Sequence, residues 1–314
     1  MNSDIPDELL LSIYDVEGQE LFELFALALG VKEKWTGKGI NFCSIVSAKT
    51  GICPEDCAFC GQSSKVKKNE KIKVSPLISE SEIVEAAKRA RANGAREFSI
   101  VTSGTSVKEK VELNIISNAV KRIKNEVGIT PCASLGLMSY EDLLFLKNSG
   151  LEIFHHNIET SRDYFPNICS THKYEDNVIS LKNARKAGLK ICCGVIIGMG
   201  ESRIDRIKMA KEIKELDVDN IPVNFLNPIK GTPLENSSML TPMECLKTIA
   251  IFRFVNPGKN ILAQGGREVN LRQLQPLALL AGANGMLLGD YLLTRGRTPS
   301  LDFEMINDLG FEKP

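Results

Sequence analysis

The sequence predicts an α/β fold, a (β/α)8 TIM barrel preceded by an N-terminal helical cap. Three observations predict it. From residue 40 onward, apolar segments of strand length alternate with amphipathic segments of helix length, the pattern of a parallel sheet wrapped by helices. The chain has 314 residues, an ordinary size for such a barrel. No Pro/Ser-rich linker or low-complexity tract divides it. The expected division is a helical cap over 1–38 and the barrel over 39–314.

Residues 1–38 read as two helices, 7–16 and 19–34, the second with Leu21, Phe22, Phe25, Leu29 and Trp35 as its buried stripe. Strands are expected over 40–47, 96–102, 130–136, 152–158, 189–197, 221–226, 259–264 and 284–289. The helices between them are expected near 80–93, 109–127, 139–149, 173–187, 202–217, 242–255 and 269–282, with a last one near 301–309. Ser79 with Glu82, Ser139 with Asp142, and Thr241 with Glu244 are helix-start signals of capping-box type. Asn93-Gly94, Ser149-Gly150, Ala187-Gly188 and Ala281-Gly282 are stop signals, with glycine fit for the left-handed cap.

Composition narrows the function. Lys+Arg and Asp+Glu are both 39, so no basic excess draws the chain to nucleic acid or anionic lipid. The most apolar early run, Leu21 to Val31, is too short to span a bilayer and carries Glu23. The start, MNSDIPDELL, is acidic and lacks the apolar core of an export signal. A cytoplasmic protein is therefore expected. Its nine cysteines suggest metal or redox chemistry rather than disulfides.

The strongest signal is Cys53-Pro54-Glu55-Asp56-Cys57-Ala58-Phe59-Cys60, a Cys-x3-Cys-x2-Cys spacing. Three thiolates on one loop can hold three irons of a 4Fe–4S cluster, leaving the fourth open to a small molecule. A zinc site would need four ligands in paired Cys-x2-Cys form, and no matching pair is present. The spacing resembles that of the radical S-adenosylmethionine (SAM) enzymes, in which SAM chelates the open iron. The loop directly follows the first strand, which places it at the C-terminal mouth where barrel active sites lie.

Alternation along each strand assigns the faces. Asn41, Cys43, Ile45 and Ser47 point inward on the first strand, and Ser99 and Val101 on the second. Thr130, Cys132, Ser134 and Gly136 follow on the third, then His155, Asn157 and Glu159 on the fourth. Cys192 and Gly194 point inward on the fifth strand and Asn224 on the sixth. Cys43, Cys132 and Cys192 thus gather in the lumen, an arrangement that suggests a second metal site. Cys169 and Cys245 fall outside the lumen, and His172 is a lone loop histidine. The Gly198-Met199-Gly200-Glu201 segment reads as a tight turn.

The segment Ser47 to Ser64, containing CPEDCAFCGQSS, resembles the cluster segment of biotin synthase. So do His156-Asn157-Ile158-Glu159-Thr160-Ser161, Pro222-Val223-Asn224, Lys230-Gly231-Thr232-Pro233-Leu234, Gly266-Arg267-Glu268, and Ala281 to Thr294. The resemblance covers about residues 5 to 310. It implies conversion of dethiobiotin to biotin, with the cube reducing SAM to a 5′-deoxyadenosyl radical and sulfur supplied by a second cluster. It implies Cys53, Cys57 and Cys60 as cube ligands. It sets Phe59, Asn157, Glu159 and His172 on the SAM side, and Asn157, Asn224 and Thr294 on the substrate side. A flavodoxin or ferredoxin as electron donor and a homodimer are further expectations.

The chain departs from that pattern at the second cluster. Known members hold a 2Fe–2S cluster with three cysteines and an arginine. Cys132 and Cys192 match two of those cysteines, but Ser99 stands at the third and Leu262 at the arginine. Cys43 replaces a serine, and Cys193 adjoins Cys192. A bulge at Gly194 would turn both neighbours inward. The expectation is a cluster larger than 2Fe–2S on Cys43, Cys132, Cys192 and Cys193. The alternative is another biotin-synthase-like radical SAM enzyme, a mutase or maturase, with a vestigial second site. A non-catalytic iron–sulfur carrier would not need so large a polar lumen.

Overall fold

The computed structural model describes residues 5–66 and 72–312. Among these residues nine strands form one sheet: β1 Asn41–Lys49, β2 Glu97–Thr102, β3 Thr130–Ser134, β4 Ile153–His155, β5 Lys190–Cys192, β6 Val195–Ile197, β7 Asn220–Phe225, β8 Asn260–Ala263 and β9 Gly285–Leu287. The order β5-β4-β3-β2-β1-β9-β8-β7-β6, closed by pairing of β5 with β7, is a complete parallel barrel. β5 and β6 together occupy the fifth of its eight positions. Closure leaves no edge with unpaired backbone groups.

Helices α3 Glu80–Ala92, α4 Lys110–Arg122, α5 Tyr140–Asn148, α6 Tyr174–Lys186, α7 Arg203–Glu215 and α8 Pro242–Val255 follow successive strands. The expected start signals operate: Ser79 and Glu82 form a reciprocal box, and the Ser139 and Thr241 hydroxyls accept the amides of Asp142 and Glu244. The outward-facing Phe98 and Ile100 are fully buried between sheet and helices. Fully burying side chains of this size contributes about 1.5–3 kcal/mol each.

Several expected elements end differently. The helix at 109–127 turns into a π-turn over Ile123–Val127. The helix at 269–282 divides into α9 Arg267–Asn270 and α10 Gln275–Leu280. Pro276 opens α10, since its missing N–H fits only a first turn. The chain closes with α11 Pro299–Asp308. At the N-terminus, α1 Asp7–Ser12 and α2 Gly18–Thr36 precede the barrel, with α1 against α7 and α2 against α8 and α10. The buried stripe of α2 is Leu21, Phe25, Ala28 and Lys32. Phe22, a quarter-turn away, and Trp35, in the last turn, stay exposed. Among the described residues, no helix is long and apolar enough to cross a membrane.

The expected bulge at Gly194 does not bring Cys193 inward. The fifth barrel strand is broken at Cys193–Gly194, but alternation continues across the break. Cys192 and Ile196 face the lumen, whereas Cys193, Val195 and Ile197 join the core against the helices. Gly194 is required there: a Cβ would lie 2.1 Å from the Pro222 carbonyl oxygen. Cys193 is therefore a buried core side chain, outside the lumen set.

The barrel floor is polar. Asn260 donates to Asn220 at 2.8 Å, Asn284 to Asn260 at 2.8 Å, and Arg253 to Asn284 at 2.9 Å. Asn220 in turn points its amide at Glu97.

Candidate active site

The loop after β1 is held by its own backbone and by Gln62. Cys53 N donates to Gln62 O at 3.0 Å, Ser64 N to Cys53 O at 2.7 Å, and Gly51 N to Gln62 Oε1 at 3.0 Å. Ala58 N donates to Ile168 O at 2.8 Å, fastening the loop to the segment after β4. The two acids inside the motif extend that fastening. Asp56 accepts from Ser170 N at 2.9 Å and Thr171 N at 3.2 Å. Glu55 accepts from Thr105, Thr171 and His172, the last through Nδ1 at 2.8 Å. Against the opposing effect of burial, these bonds hold Glu55 below the usual carboxylate range. The Ser170 hydroxyl, first among several donors, does the same to Asp56.

Cys169 belongs to this site, contrary to the expectation from sequence. Its Sγ lies 3.9 Å from Cys57 Sγ and 3.2 Å from His172 Nδ1, and the three donor atoms lie within 4.8 Å of one another. The contact with Cys57, outweighing burial, pulls the Cys169 thiol down to about 4. Burial disfavours a charged His172, but its bonds to Cys169 and Glu55 raise it to about 9. Cys169 lies in a loop, where strand alternation does not apply, so its placement had no signal in the sequence.

Loop and strand ends enclose a cavity of about 410 Å³. Cys53, Cys57 and Cys60 all line it, so the chemistry and convergence of the donor set fit a 4Fe–4S cluster. Phe59, Asn157, Glu159, His172, Asn224 and Thr294 line it as well. Asn157 accepts from Gly194 N at 3.0 Å and donates to Glu159 Oε2 at 3.3 Å. Burial pushes the Glu159 carboxyl up to about 7. Its backbone has φ 66°, a region that a side chain of this kind seldom adopts. Asn224 donates to Val195 O and accepts from Gly265 N, each at 3.0 Å. The Gly198–Glu201 segment is a tight turn: the Glu201 carboxylate accepts from Gly198 N and Met199 N, both at 2.7 Å, and pairs with Arg206 at 2.6 Å.

Below this cavity lies a gap of about 20 Å³ lined by Cys43, Cys132, Cys192 and Leu262, together with residues of neighbouring layers. Ile45, His155 and Gln264 line both spaces. Burial first, then the Glu97 carboxylate, raises the Cys43, Cys132 and Cys192 thiols above their ordinary value. Gln264 Nε2 donates to Cys43 Sγ at 3.1 Å. The Ser99 hydroxyl is buried with no hydrogen-bond partner among the described residues. Three converging thiols and an orphaned hydroxyl fit an iron–sulfur group. Sequence reasoning missed Glu97 and Gln264, although each lies on the inward parity, two positions from Ser99 and Leu262 respectively.

Known proteins extend the picture. A family model described as the radical SAM superfamily matches residues 48–213, and one described as the biotin and thiamin synthesis associated domain matches 222–312. A biotin synthase of Geotalea uraniireducens is 50% identical over 95% of this chain and 90% of its own length. One from Carboxydothermus hydrogenoformans is 47% identical over 96% and 93%. Among solved structures, methylornithine synthase superposes with a TM-score of 0.86 at 21% identity, covering 100% of this chain and 95% of that one. A maturase of the FeFe-hydrogenase from Carboxydothermus hydrogenoformans gives 0.83 at 18%, covering 99% and 76%. These two likenesses bear on the fold, and the curated relatives carry the kinship: the chain belongs to the biotin synthase family of the radical SAM superfamily.

Proposed function

We propose that this barrel converts dethiobiotin to biotin by radical sulfur insertion, with sulfur drawn from an auxiliary iron–sulfur cluster at Cys43, Cys132 and Cys192. The radical SAM family implies a 4Fe–4S cluster and SAM, and biotin synthase implies dethiobiotin and SAM as substrates. The observation that carries the proposal is the stacking of the two spaces, a large cavity at the mouth and a thiol-lined gap directly beneath it. When bound, the cube supplies the electron that cleaves SAM to methionine and the hydrogen-abstracting 5′-deoxyadenosyl radical.

The protein's part is to bind, orient and shield. In this reading Cys53, Cys57 and Cys60 hold the cube, and the loop bonds to Gln62 and Ile168 fix their approach. Glu159, ionised, accepts the ribose hydroxyls of SAM, while Asn157 orients it. Phe59 and His172 complete the SAM side. Asn157, Asn224 and Thr294 contact the substrate.

The auxiliary cluster is proposed to be larger than 2Fe–2S. In barrels of this type, alternate strands supply each interior layer of four side chains. Cys43, Cys132, Cys192 and Leu262 come from the first, third, fifth and seventh barrel strands and all face the gap. Cys43 adds a thiol from the first strand, a direction that the 2Fe–2S pattern does not use, and Leu262 leaves the arginine's place without a ligand. A flavodoxin or ferredoxin as reductant, a homodimer, a cytoplasmic location and a separate helical cap over 1–38 complete the proposal.

The test is anaerobic incubation of reconstituted protein with SAM, a strong reductant and dethiobiotin. Biotin formation is the expected result. 5′-Deoxyadenosine without biotin would point instead to a related mutase or maturase, and absence of SAM cleavage would defeat both readings.

A further inference from the structure

The lumen layer contains three thiols and one leucine, so any fourth protein ligand has to come from an adjacent layer. Four side chains from those layers bring donor atoms to the gap: Glu97, Ser99, His155 and Gln264. Gln264 is committed, since its amide N–H donates to Cys43 Sγ at 3.1 Å. His155 Nε2 turns upward to Asn157 Oδ1 at 3.3 Å, toward the SAM cavity. Ser99 offers a neutral hydroxyl, a weak ligand that is better suited to donate a hydrogen bond.

Glu97 remains. It pairs in register with Cys43 on β1 and is followed two residues later by Ser99, which pairs with Cys132 on β3. Among the described residues its hydrogen-bond partner is the Asn220 side-chain amide, with long contacts of 3.3 and 3.4 Å, and Lys190 acts on it through its charge without an ion-pair contact. The adjacent Ser99 hydroxyl is only 5% exposed and has no partner, independent evidence that this pocket is shaped for an occupant the protein chain does not supply.

We propose that Glu97 is an oxygen ligand of the auxiliary cluster, completing a three-thiolate, one-carboxylate set with Cys43, Cys132 and Cys192. This rests on the auxiliary-cluster reading above. A carboxylate is a harder ligand than thiolate, so one iron of the cluster differs from the rest in electronic character and in ease of release. Asn220 holds the carboxylate from below through the floor network, and Ser99 lies beside it as a hydroxyl donor.

The experiment isolates the auxiliary site in full-length protein carrying Cys53→Ser, Cys57→Ser and Cys60→Ser together. This parent is reconstituted anaerobically with ⁵⁷Fe and sulfide, then examined by iron and sulfide assay and Mössbauer spectroscopy. The expected parent spectrum contains one iron subsite distinct from the thiolate-held ones. Glu97→Gln, which is isosteric and keeps the Asn220 contact, loses that subsite and its iron. Glu97→Cys restores full iron with a thiolate-like spectrum, and Ser99→Ala keeps the parental pattern. Unchanged iron content and subsites in Glu97→Gln overturn the Glu97 assignment while leaving the auxiliary cluster in place. A parent that holds no iron and sulfide, or one indifferent to a further Cys132→Ser change, overturns the auxiliary-cluster reading itself.

Discussion

The two cysteine groups of this barrel are built in opposite ways. Cys53, Cys57 and Cys60 sit within eight consecutive residues on one loop, held by bonds that the loop makes to itself and to the segment after β4. Cys43, Cys132 and Cys192 come from three separated strands and meet only because the sheet closes. The first group depends on local geometry and opens to a cavity of about 410 Å³. The second is part of the barrel interior, around a gap of about 20 Å³. A local set can be placed at a mouth where a substrate must enter. A distributed set gives a donor site whose spacing is fixed by the fold itself.

The largest effects should separate these groups cleanly. Cys53→Ser, Cys57→Ser or Cys60→Ser is expected to abolish SAM cleavage while leaving the barrel folded, because all three sit on a loop outside the strands and helices and serine is close in size to cysteine. Wild-type 5′-deoxyadenosine formation in any of them, with circular dichroism unchanged, would refute the loop assignment. Cys43→Ser, Cys132→Ser or Cys192→Ser is expected to keep SAM cleavage but lose biotin. Cys193→Ala marks the boundary of the second group. It should retain biotin formation and lose about 1 kcal/mol of stability from reduced packing, as read by denaturant unfolding.

A smaller effect sharpens the mouth of the barrel. Glu159→Ala is expected to weaken SAM binding through a lost charge-assisted hydrogen bond of about 1.5–3 kcal/mol, roughly ten- to a hundredfold. Equilibrium binding with the cube intact reads this directly, and dethiobiotin affinity should change less. The pH dependence follows from the same group. Glu159 ionises near 7 in the ligand-free protein, and SAM needs it ionised. Affinity should therefore be full above pH 8 and fall toward about tenfold per unit below 7. Glu159→Gln should flatten the profile. Stability of the ligand-free protein runs the other way: the folded state keeps a proton that the unfolded chain sheds near 4.5, so stability falls as pH rises from 4.5 to 7.

The barrel and the loop motif were legible because both are written in short-range patterns. Strand alternation alone brought Cys43, Cys132 and Cys192 together. It also argued against Cys193, whose inward turn needed a bulge that the structure does not make. Cys169 was illegible because a loop has no face, and its approach to Cys57 depends on Asp56, Glu55 and His172 acting together in three dimensions. Glu97 was legible in principle, two residues before Ser99 on the same face. A charged residue at the start of a strand reads first as solvent-exposed, and only the asparagine floor shows where its carboxylate goes. The division of 269–282 into two helices has a local signal in Pro276, whose ring and missing N–H suit the first turn of a new helix.

The left-handed backbone of Glu159 sets activity against durability. A glutamate held at φ 66° and pressed into a site that disfavours its charge is a poor choice for melting temperature. Asparagine tolerates that backbone and carries no charge, so Glu159→Asn should make the ligand-free protein more heat-resistant, by on the order of 1 kcal/mol. The same change should cost SAM affinity. A selection for thermostability alone would then drift away from the working enzyme at this position, and a selection for turnover would restore the less stable residue.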